Sequence, residues 1–210
     1  MALAMIVLAN GLYDAGHHED AVSIYTANVS MRRRLGEPEE NLDVVKGNIA
    51  TTYQRLGRDE EVLSMRQEVY SGSLKLLGEE HFRTLSSAMN YASTLGALHR
   101  RTEAKALMRK WIPVAQRALG DSDGITIRMR SIYAQALYMG DGATLDDIRE
   151  AVEMIEDSER IARRVFGGSH PLVAEIKRDL RRSRTALRAH ESHETPPPRT
   201  FAPGWLDGPS

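Results

Sequence analysis

Residues 76–85, LLGEEHFRTL, end one amphipathic segment at a glycine and begin the next with a polar residue, Thr84, that suits a helix cap. Related stretches follow at 118–127, ALGDSDGITI, and at 165–174, VFGGSHPLVA. Their glycines recur every 42 residues, and after 47 residues in the last unit: Gly36, Gly78, Gly120 and Gly167. A repeat of roughly 20 to 50 residues is typical of solenoids and arrays, so this spacing decides the fold.

A second series of marks has nearly the same period and consists of Gly16, Gly57, His99 and Gly140. Between the marks the apolar residues have helical spacing, as in the run Val45, Ile49, Tyr53 and Leu56. Each unit is therefore predicted to be a hairpin of two helices. Gly16 and Gly57 suit the left-handed residue that ends a first helix, whereas His99 lacks the freedom of glycine and predicts a looser turn.

Small residues stand at fixed distances from these marks. They lie seven residues before a mark or five residues after it, with an allowance for the longer last unit: Ala9, Ala50, Ala92, Ala21, Val62, Ala104 and Ala151. A small residue on both helices indicates a close contact within each hairpin. Because one hairpin cannot bury both of its faces, consecutive hairpins are expected to stack.

The predicted fold is all-α, a right-handed α-solenoid of four helical hairpins and a C-terminal capping helix within residues 1–190. The units are predicted at 2–42, 43–84, 85–126 and 127–171, and the capping helix at 172–190. Five of the eight prolines fall between Pro196 and Pro209. Residues 191–210 are therefore predicted to be a disordered, Pro-rich tail.

These marks resemble the tetratricopeptide repeat, and the 42-residue length resembles its longer, kinesin light chain-like subtype. That subtype ends its second helix in Leu-Gly and enters the next helix through a His-Pro-x-Thr-Leu-like segment. Here His81, Thr84 and Leu85 match, while Phe82 stands where proline is expected. The resemblance covers about residues 2–173. It implies a non-enzymatic scaffold that binds a peptide or a partner helix in a concave groove lined by the first helices.

The composition excludes several other classes of protein. With 28 basic and 29 acidic residues, no overall charge attracts nucleic acid or an anionic membrane. The absence of cysteine excludes disulfides and thiolate metal sites and fits a reducing compartment. The apolar run in MALAMIVLANGLY has no basic flank and is too short to span a bilayer. We therefore expect a cytoplasmic protein without a membrane partner.

No catalytic or metal-binding pattern occurs in the sequence. His17 and His18 stand at a predicted turn, and His190 and His193 are three residues apart, without a His-Glu-x-x-His spacing or a third ligand. A phosphate loop, a dinucleotide fingerprint and a nucleophile elbow are also missing from the sequence. The sequence therefore predicts no enzyme, no cofactor and no metal.

Polar residues of the first helices are the candidate groove residues. Counting back from each mark identifies Asn10, Tyr13, Asn48, Thr51, Gln54, Arg55, Asn90, Ser93 and Arg130. An asparagine offers both a donor and an acceptor, so it can pair with the backbone of an extended peptide of any sequence. The resemblance implies the same role for such asparagines. The alternative is that Asn48 and Asn90 only satisfy neighbouring helix ends.

Two ligand classes follow from the resemblance. Tetratricopeptide clamps that hold the C-terminal carboxylate of a chaperone add cations to two asparagines. This chain has Ile6, Ser86 and Asn90 at the matching positions, so we disfavour that ligand. In the tail, Trp205 and Asp207 loosely resemble the tryptophan-acidic peptides of kinesin light chain, and this segment is a candidate intramolecular ligand.

A basic cluster on the predicted capping helix supports an alternative function. It contains Lys177, Arg178, Arg181, Arg182, Arg184 and Arg188. Closely spaced cations could bind nucleic acid or an acidic partner by releasing counterions together. No aromatic residue interleaves with them, which disfavours a platform for stacking bases. A structural spacer in a larger assembly is the other alternative.

Overall fold

The computed structural model of the protein describes residues 1–194, without the side chains of residues 40, 193 and 194. Within these residues the chain forms nine α-helices and no β-strand. The helices are α1 (Ala2–Asp14), α2 (His18–Arg34), α3 (Asp43–Arg55), α4 (Asp59–Leu77), α5 (Phe82–Ala97), α6 (Arg101–Leu119), α7 (Gly124–Tyr138), α8 (Leu145–Phe166) and α9 (Pro171–Glu194). None of them is long and apolar enough to cross a membrane.

Each helix packs mainly against its neighbours along the chain. The pairs α1–α2, α3–α4, α5–α6 and α7–α8 form hairpins, and α9 packs against α8 and α7. The chain is therefore an all-α solenoid of four hairpins and a final helix, which confirms the predicted fold class. α9 continues beyond His190, where the predicted capping helix ends, as far as Glu194.

The small residues lie where the helices of a hairpin cross. All seven of the residues predicted from the spacing are buried, and even Val62 is only 4% exposed. Six of them are alanines at 0% exposure. Only a small side chain lets two helix backbones approach this closely. Their burial is what the predicted contact within each hairpin requires.

The joints between hairpins differ in detail from the prediction. Thr84 does not cap α5, because the helix begins earlier, after His81, whose Nδ1 accepts a hydrogen bond from the backbone N–H of Arg83. Asp123 and His170 cap α7 and α9 in the same way. Thr84 is instead buried, and its hydroxyl donates to the Ser73 carbonyl at 3.1 Å, so it ties α5 to α4.

The expectation of a looser turn at His99 is wrong. His99 adopts a left-handed φ of 61° and repeats the hydrogen bonds of the turn at Gly57. The His99 N–H donates to Gly96 at 3.2 Å and the Arg100 N–H to Leu95 at 2.9 Å, as in the Gly57 turn. Packing of the hairpin imposes one turn geometry, and a non-glycine residue has to accept it at a cost of roughly 1 to 2 kcal/mol.

Replacing His99 with glycine is expected to raise the free energy of unfolding by about 1 kcal/mol, which corresponds to a rise of about 2 to 4 °C in the melting temperature. Glycine relieves the left-handed strain, and the gain is partly offset by its greater freedom in the unfolded chain. Ala97→Gly is the matched control, because Ala97 is an exposed residue in the last turn of the same helix. It should lower the melting temperature. Thermal unfolding followed by circular dichroism measures both variants. A melting temperature of His99→Gly below that of the natural chain would contradict the strain at His99.

The hydrophobic core is divided along the solenoid. One large cluster joins α1, α2 and α3, from Ala9 to Ile49, and another joins α5 to α9, from Leu85 to Ile176. A third, small cluster joins α4 to α5, α6 and α7 around Leu63. α4 belongs to both large clusters, because its Met65 packs against the first cluster and its Tyr70 against the second. The two ends of the solenoid are therefore packed as separate units that share α4.

Candidate functional site

The odd-numbered helices α1, α3, α5, α7 and α9 line a row of clefts, which we call the groove. The clefts have volumes of about 160 to 340 Å³. Three of them share lining residues, since Asn90 borders two of them and Ser93 borders two. The groove is thus an elongated surface rather than one enclosed pocket.

The first cleft, between α1 and α3, brings together four of the predicted residues. Asn10, Tyr13, Asn48 and Thr51 line it, and we call it the Tyr25 cleft. The buried Tyr25 hydroxyl donates to Oδ1 of Asn10, and burial raises the pKa of Tyr25. The volume of the Tyr25 cleft is about 340 Å³, and much of the cleft lining can form hydrogen bonds. This chemistry suits the polar backbone of an extended peptide.

Two more predicted residues lie on α3. The Arg55 Nε donates to the Tyr13 hydroxyl at 3.0 Å, which links equivalent ends of two consecutive first helices. Gln54 is exposed and lines none of the clefts in the described part of the chain. Arg55 therefore belongs to the edge of the Tyr25 cleft, whereas Gln54 does not.

The second cleft lies between α3, α4 and α5 and contains a residue that the sequence did not single out, Arg66. Nη2 of Arg66 donates to the Thr51 hydroxyl at 3.4 Å, and no carboxylate of the described residues forms an ion pair with it. Burial lowers the pKa of the guanidinium. A desolvated cation without an anion is unfavourable, so the Arg66 cleft favours a ligand that supplies one.

The Arg66 cleft also has room for a side chain and an apolar part of its lining. The cleft measures about 340 Å³. Val44 and Phe82 line it and are 71% and 56% exposed, which is high for such residues. Asp43 also lines the cleft, and its carboxylate accepts a hydrogen bond from the Ser73 hydroxyl at 3.3 Å. Asp43 lies about 12 Å along α3 from Thr51, the residue that Arg66 contacts. Asn90 lines the same cleft from α5, beside the next one.

Arg130 is not a groove residue. Its guanidinium lies 2.5 Å from the Asp157 carboxylate of α8, and only 12% of its side chain is exposed. In the 42-residue register it corresponds to the buried Lys46 and Ala88. The count from Gly140 was one residue out of register, since the small residue equivalent to Ala92 is the buried Ala134.

The groove positions of α7 follow from the corrected register. The α7 residues that line the clefts are Arg128, Ser131, Ile132, Gln135 and Ala136, and Met139 lines them directly after the helix. Arg128 is paired with Glu175 of α9 at 3.3 Å. Counting 42 residues on from Asn90 and Ser93 reaches Ile132 and Gln135, so this spacing could have found them in the sequence.

The basic cluster of α9 is partly neutralised. Nη2 of Arg184 lies 2.7 Å from Glu156, and Nζ of Lys177 lies 3.8 Å from Glu159, both on α8. Arg182 instead lines a cleft of the groove. The remaining cations of the predicted cluster are exposed: Arg178, Arg181 and Arg188. This division weakens the alternative of a single basic surface for nucleic acid.

Two other expectations concern histidines and the tail. Within residues 1–194, no group of three histidine, aspartate or glutamate side chains comes together as a metal site would require. The ring of His18 instead lies against that of Tyr13, with centroids 5.1 Å apart. Residues 191–194 of the predicted disordered tail are instead the end of α9. The rest of the predicted tail, residues 195–210 with Trp205 and Asp207, lies outside the described residues.

Comparison with known proteins identifies the repeat. A family described as "Tetratricopeptide repeat" matches residues 84–123. No curated protein matches the chain. The TPR-like repeats of a Podosopora anserina protein assigned as a kinesin light chain have a similar structure, with a TM-score of 0.69 at 20% identity, over 90% of this chain and 88% of that one.

Two further solved structures give the same result. A substituted form of the Podosopora anserina repeats has a TM-score of 0.71 at 19% identity, over 90% of this chain and 87% of that one. BtubC (BKLC) from P. vanneervenii has a TM-score of 0.67 at 17% identity, over 98% and 86%. At these identities the likeness concerns the fold alone. The predicted tetratricopeptide repeat is confirmed, and its fold is similar to that of kinesin light chain-like repeats.

Proposed function

We propose that this chain, which matches the tetratricopeptide repeat at residues 84–123 and has the fold of a repeat solenoid, is a non-enzymatic scaffold whose groove binds an extended segment of a partner protein. Tetratricopeptide repeats are in general protein-interaction scaffolds. The observation that supports a groove ligand is Arg66, a half-buried guanidinium without an acidic partner among the described residues. A bound segment would supply the missing anion, and an apolar side chain beside it would cover Val44 and Phe82.

The asparagines extend this proposal along the groove. Asn48 lines the Tyr25 cleft, and Asn90, 42 residues later, lines the Arg66 cleft. Both are on first helices, so their amide groups can pair with the backbone of one extended segment. The amides would then fix the register of the segment, while Arg66 selects an acidic residue within it.

The test starts from peptides selected by the full chain from a random phage-displayed library, with affinity measured by fluorescence anisotropy. Arg66→Gln and the double variant Asn48→Ala/Asn90→Ala should each bind the selected peptides at least tenfold more weakly. A hydrogen bond to a charged group contributes about 1.5 to 3 kcal/mol, which corresponds to a tenfold to hundredfold loss. Replacing the acidic residue of the peptide with its amide should cause the same loss as Arg66→Gln.

Matched controls are available on neighbouring surfaces. Gln67→Ala and Arg109→Gln change exposed residues that line none of the described clefts, so they should leave affinity unchanged. Circular dichroism melts establish that each variant is folded. Full affinity in the Arg66 and asparagine variants, or a steep loss of binding with salt that depends on the exposed Arg178, Arg181 and Arg188 of α9, would refute the groove and favour the basic surface.

A further inference from the structure

The groove cleft nearest the turn between α5 and α6, which we call the His99 cleft, combines basic and apolar side chains. Its volume is about 330 Å³. Three basic residues line it, one from the turn and one from each of two helices: His99, Arg101 and Arg182. The small and apolar part of the lining consists of Gly96, Ala97, Ile132, Ala136 and Met139. The small side chains make room for a ligand group, and the basic side chains give the cleft a positive charge.

The basic residues of the cleft have no carboxylate of their own. Nη2 of Arg101 lies 2.8 Å from Nδ1 of His99. Because a guanidinium only donates, Nδ1 accepts this bond, and Nε2 is the ring nitrogen that can donate to a ligand. Neither Arg101 nor Arg182 forms an ion pair within residues 1–194, and the nearby Glu103 is paired with Arg100 at 2.6 Å.

One carboxylate reduces the charge of the cleft without neutralising it. Asp179 is buried beneath α7, and Nε2 of Gln135 donates to it at 2.8 Å. Asp179 lies three residues before Arg182 on α9 and interacts with it electrostatically, but the two side chains do not form an ion pair. Two guanidinium groups and one imidazole therefore face one buried carboxylate, and the excess of charge is positive.

The strained backbone of His99 is a second observation about the same cleft. At the equivalent positions of the preceding hairpins stand Gly16 and Gly57, which adopt positive φ without strain. His99 takes the same conformation with a side chain that destabilises it. A residue held in an unfavourable conformation where glycine suffices indicates that its side chain has a role.

We propose that the His99 cleft binds a phosphorylated side chain of the partner segment. The inference rests on the proposed function, because the cleft continues the groove through Ser93. A phosphoryl ester carries a charge of about −1.5 to −2 and three acceptor oxygens, which match two guanidinium groups and one imidazole N–H. A carboxylate has a single charge and two oxygens, so it fits these donors less completely. Ile132, Ala136 and Met139 contact the carbon part of the side chain.

The probe for this test is phenyl phosphate, titrated into the full chain and followed by backbone ¹H–¹⁵N signals of the α5–α6 turn. Phenyl phosphate should bind at least tenfold more tightly than benzoate, which has the same ring with a carboxylate. Arg101→Gln and Arg182→Gln should each weaken phenyl phosphate by about tenfold, the loss of one charge-assisted contact. Arg178→Gln, an exposed arginine of α9 that does not line the cleft, should change nothing.

His99→Gly separates a binding role from a structural one. We expect it to bind phenyl phosphate several-fold more weakly although it melts at a higher temperature than the natural chain. Unchanged binding in the His99, Arg101 and Arg182 variants would overturn the proposal, and so would benzoate binding as tightly as phenyl phosphate. The titration needs no partner protein, so failure of the selected peptides to depend on Arg66 and the asparagines would not alter its outcome.

Discussion

Replacing Trp111 with alanine is expected to lower the free energy of unfolding by about 3 to 5 kcal/mol, the usual cost of removing a large buried aromatic side chain. Trp111 lies on α6 and is 0% exposed. Its Nε1 donates to the Tyr70 hydroxyl of α4 at 3.1 Å, and the two rings meet edge to face with centroids 5.9 Å apart. Alanine would leave a cavity between two consecutive hairpins and remove this contact.

Urea unfolding followed by circular dichroism measures the effect of Trp111→Ala. Tyr70→Phe is the matched control, because it keeps the ring and removes only the acceptor of the indole N–H. It should cost about 1 to 3 kcal/mol, the penalty for a buried donor without a partner. A smaller loss for Trp111→Ala than for Tyr70→Phe would contradict the packing described for α4 and α6.

Replacing Gly120 with alanine is expected to destabilise the protein by about 1 to 3 kcal/mol. Gly120 follows α6 with φ 87° and ψ 163°, a region of backbone conformation that essentially only glycine occupies. An added Cβ would meet no atom within 4 Å, so the cost comes from the backbone and not from a clash. Thermal unfolding of the full chain measures it.

Gly72→Ala is the matched control for Gly120→Ala. Gly72 lies inside α4, and an added Cβ there also meets no atom within 4 Å. Alanine should stabilise this position by about 1 kcal/mol, because it favours a helix more than glycine does. The same substitution should thus change the melting temperature in opposite directions at the two sites. A shift in the same direction would show that the joint at Gly120 is not held in the conformation described.

Much of the architecture could be predicted from spacing alone. The glycines at 42-residue intervals and the alanines at fixed offsets predicted the hairpins, because steric rules at a turn and at a helix crossing allow few residue types. Asn10, Asn48 and Thr51 were found by the same count and lie together in the Tyr25 cleft. Where the count used a correct mark, most of the residues that it identified line the groove, and Gln54 is the exception.

The predictions that failed depended on one residue rather than on the repeat. Thr84 has the side chain of a cap, yet His81 caps α5 and Thr84 is buried. His99 was expected to change its turn, but the packed hairpin fixes the turn and strains the residue. Arg130 was counted from Gly140, a glycine that does not occupy the position of the earlier marks. For Thr84 and His99, packing against neighbouring helices overrode the local preference.

Arg66 could not have been recognised before the packing was known. Glu61 and Glu68 are its close acidic neighbours in the sequence. Residues two apart on a helix do not face each other, and Glu68 is paired with Lys46 at 3.0 Å. Glu61 is paired with Arg58 at 2.7 Å. The unpaired state of Arg66 depends on where these other cations lie, which no local pattern reveals.

The sharing of α4 between the two large core clusters gives the solenoid a mechanical property. Met65 and Tyr70 belong to different clusters, and Arg66 lies between them on the same helix. We expect bending of one half against the other to occur at α4 and to change the width of the Arg66 cleft, because α4 contacts both clusters. A ligand bound in the Arg66 cleft would contact both halves of the solenoid and oppose this bending. The stiffness of the whole scaffold would then depend on whether its groove is occupied.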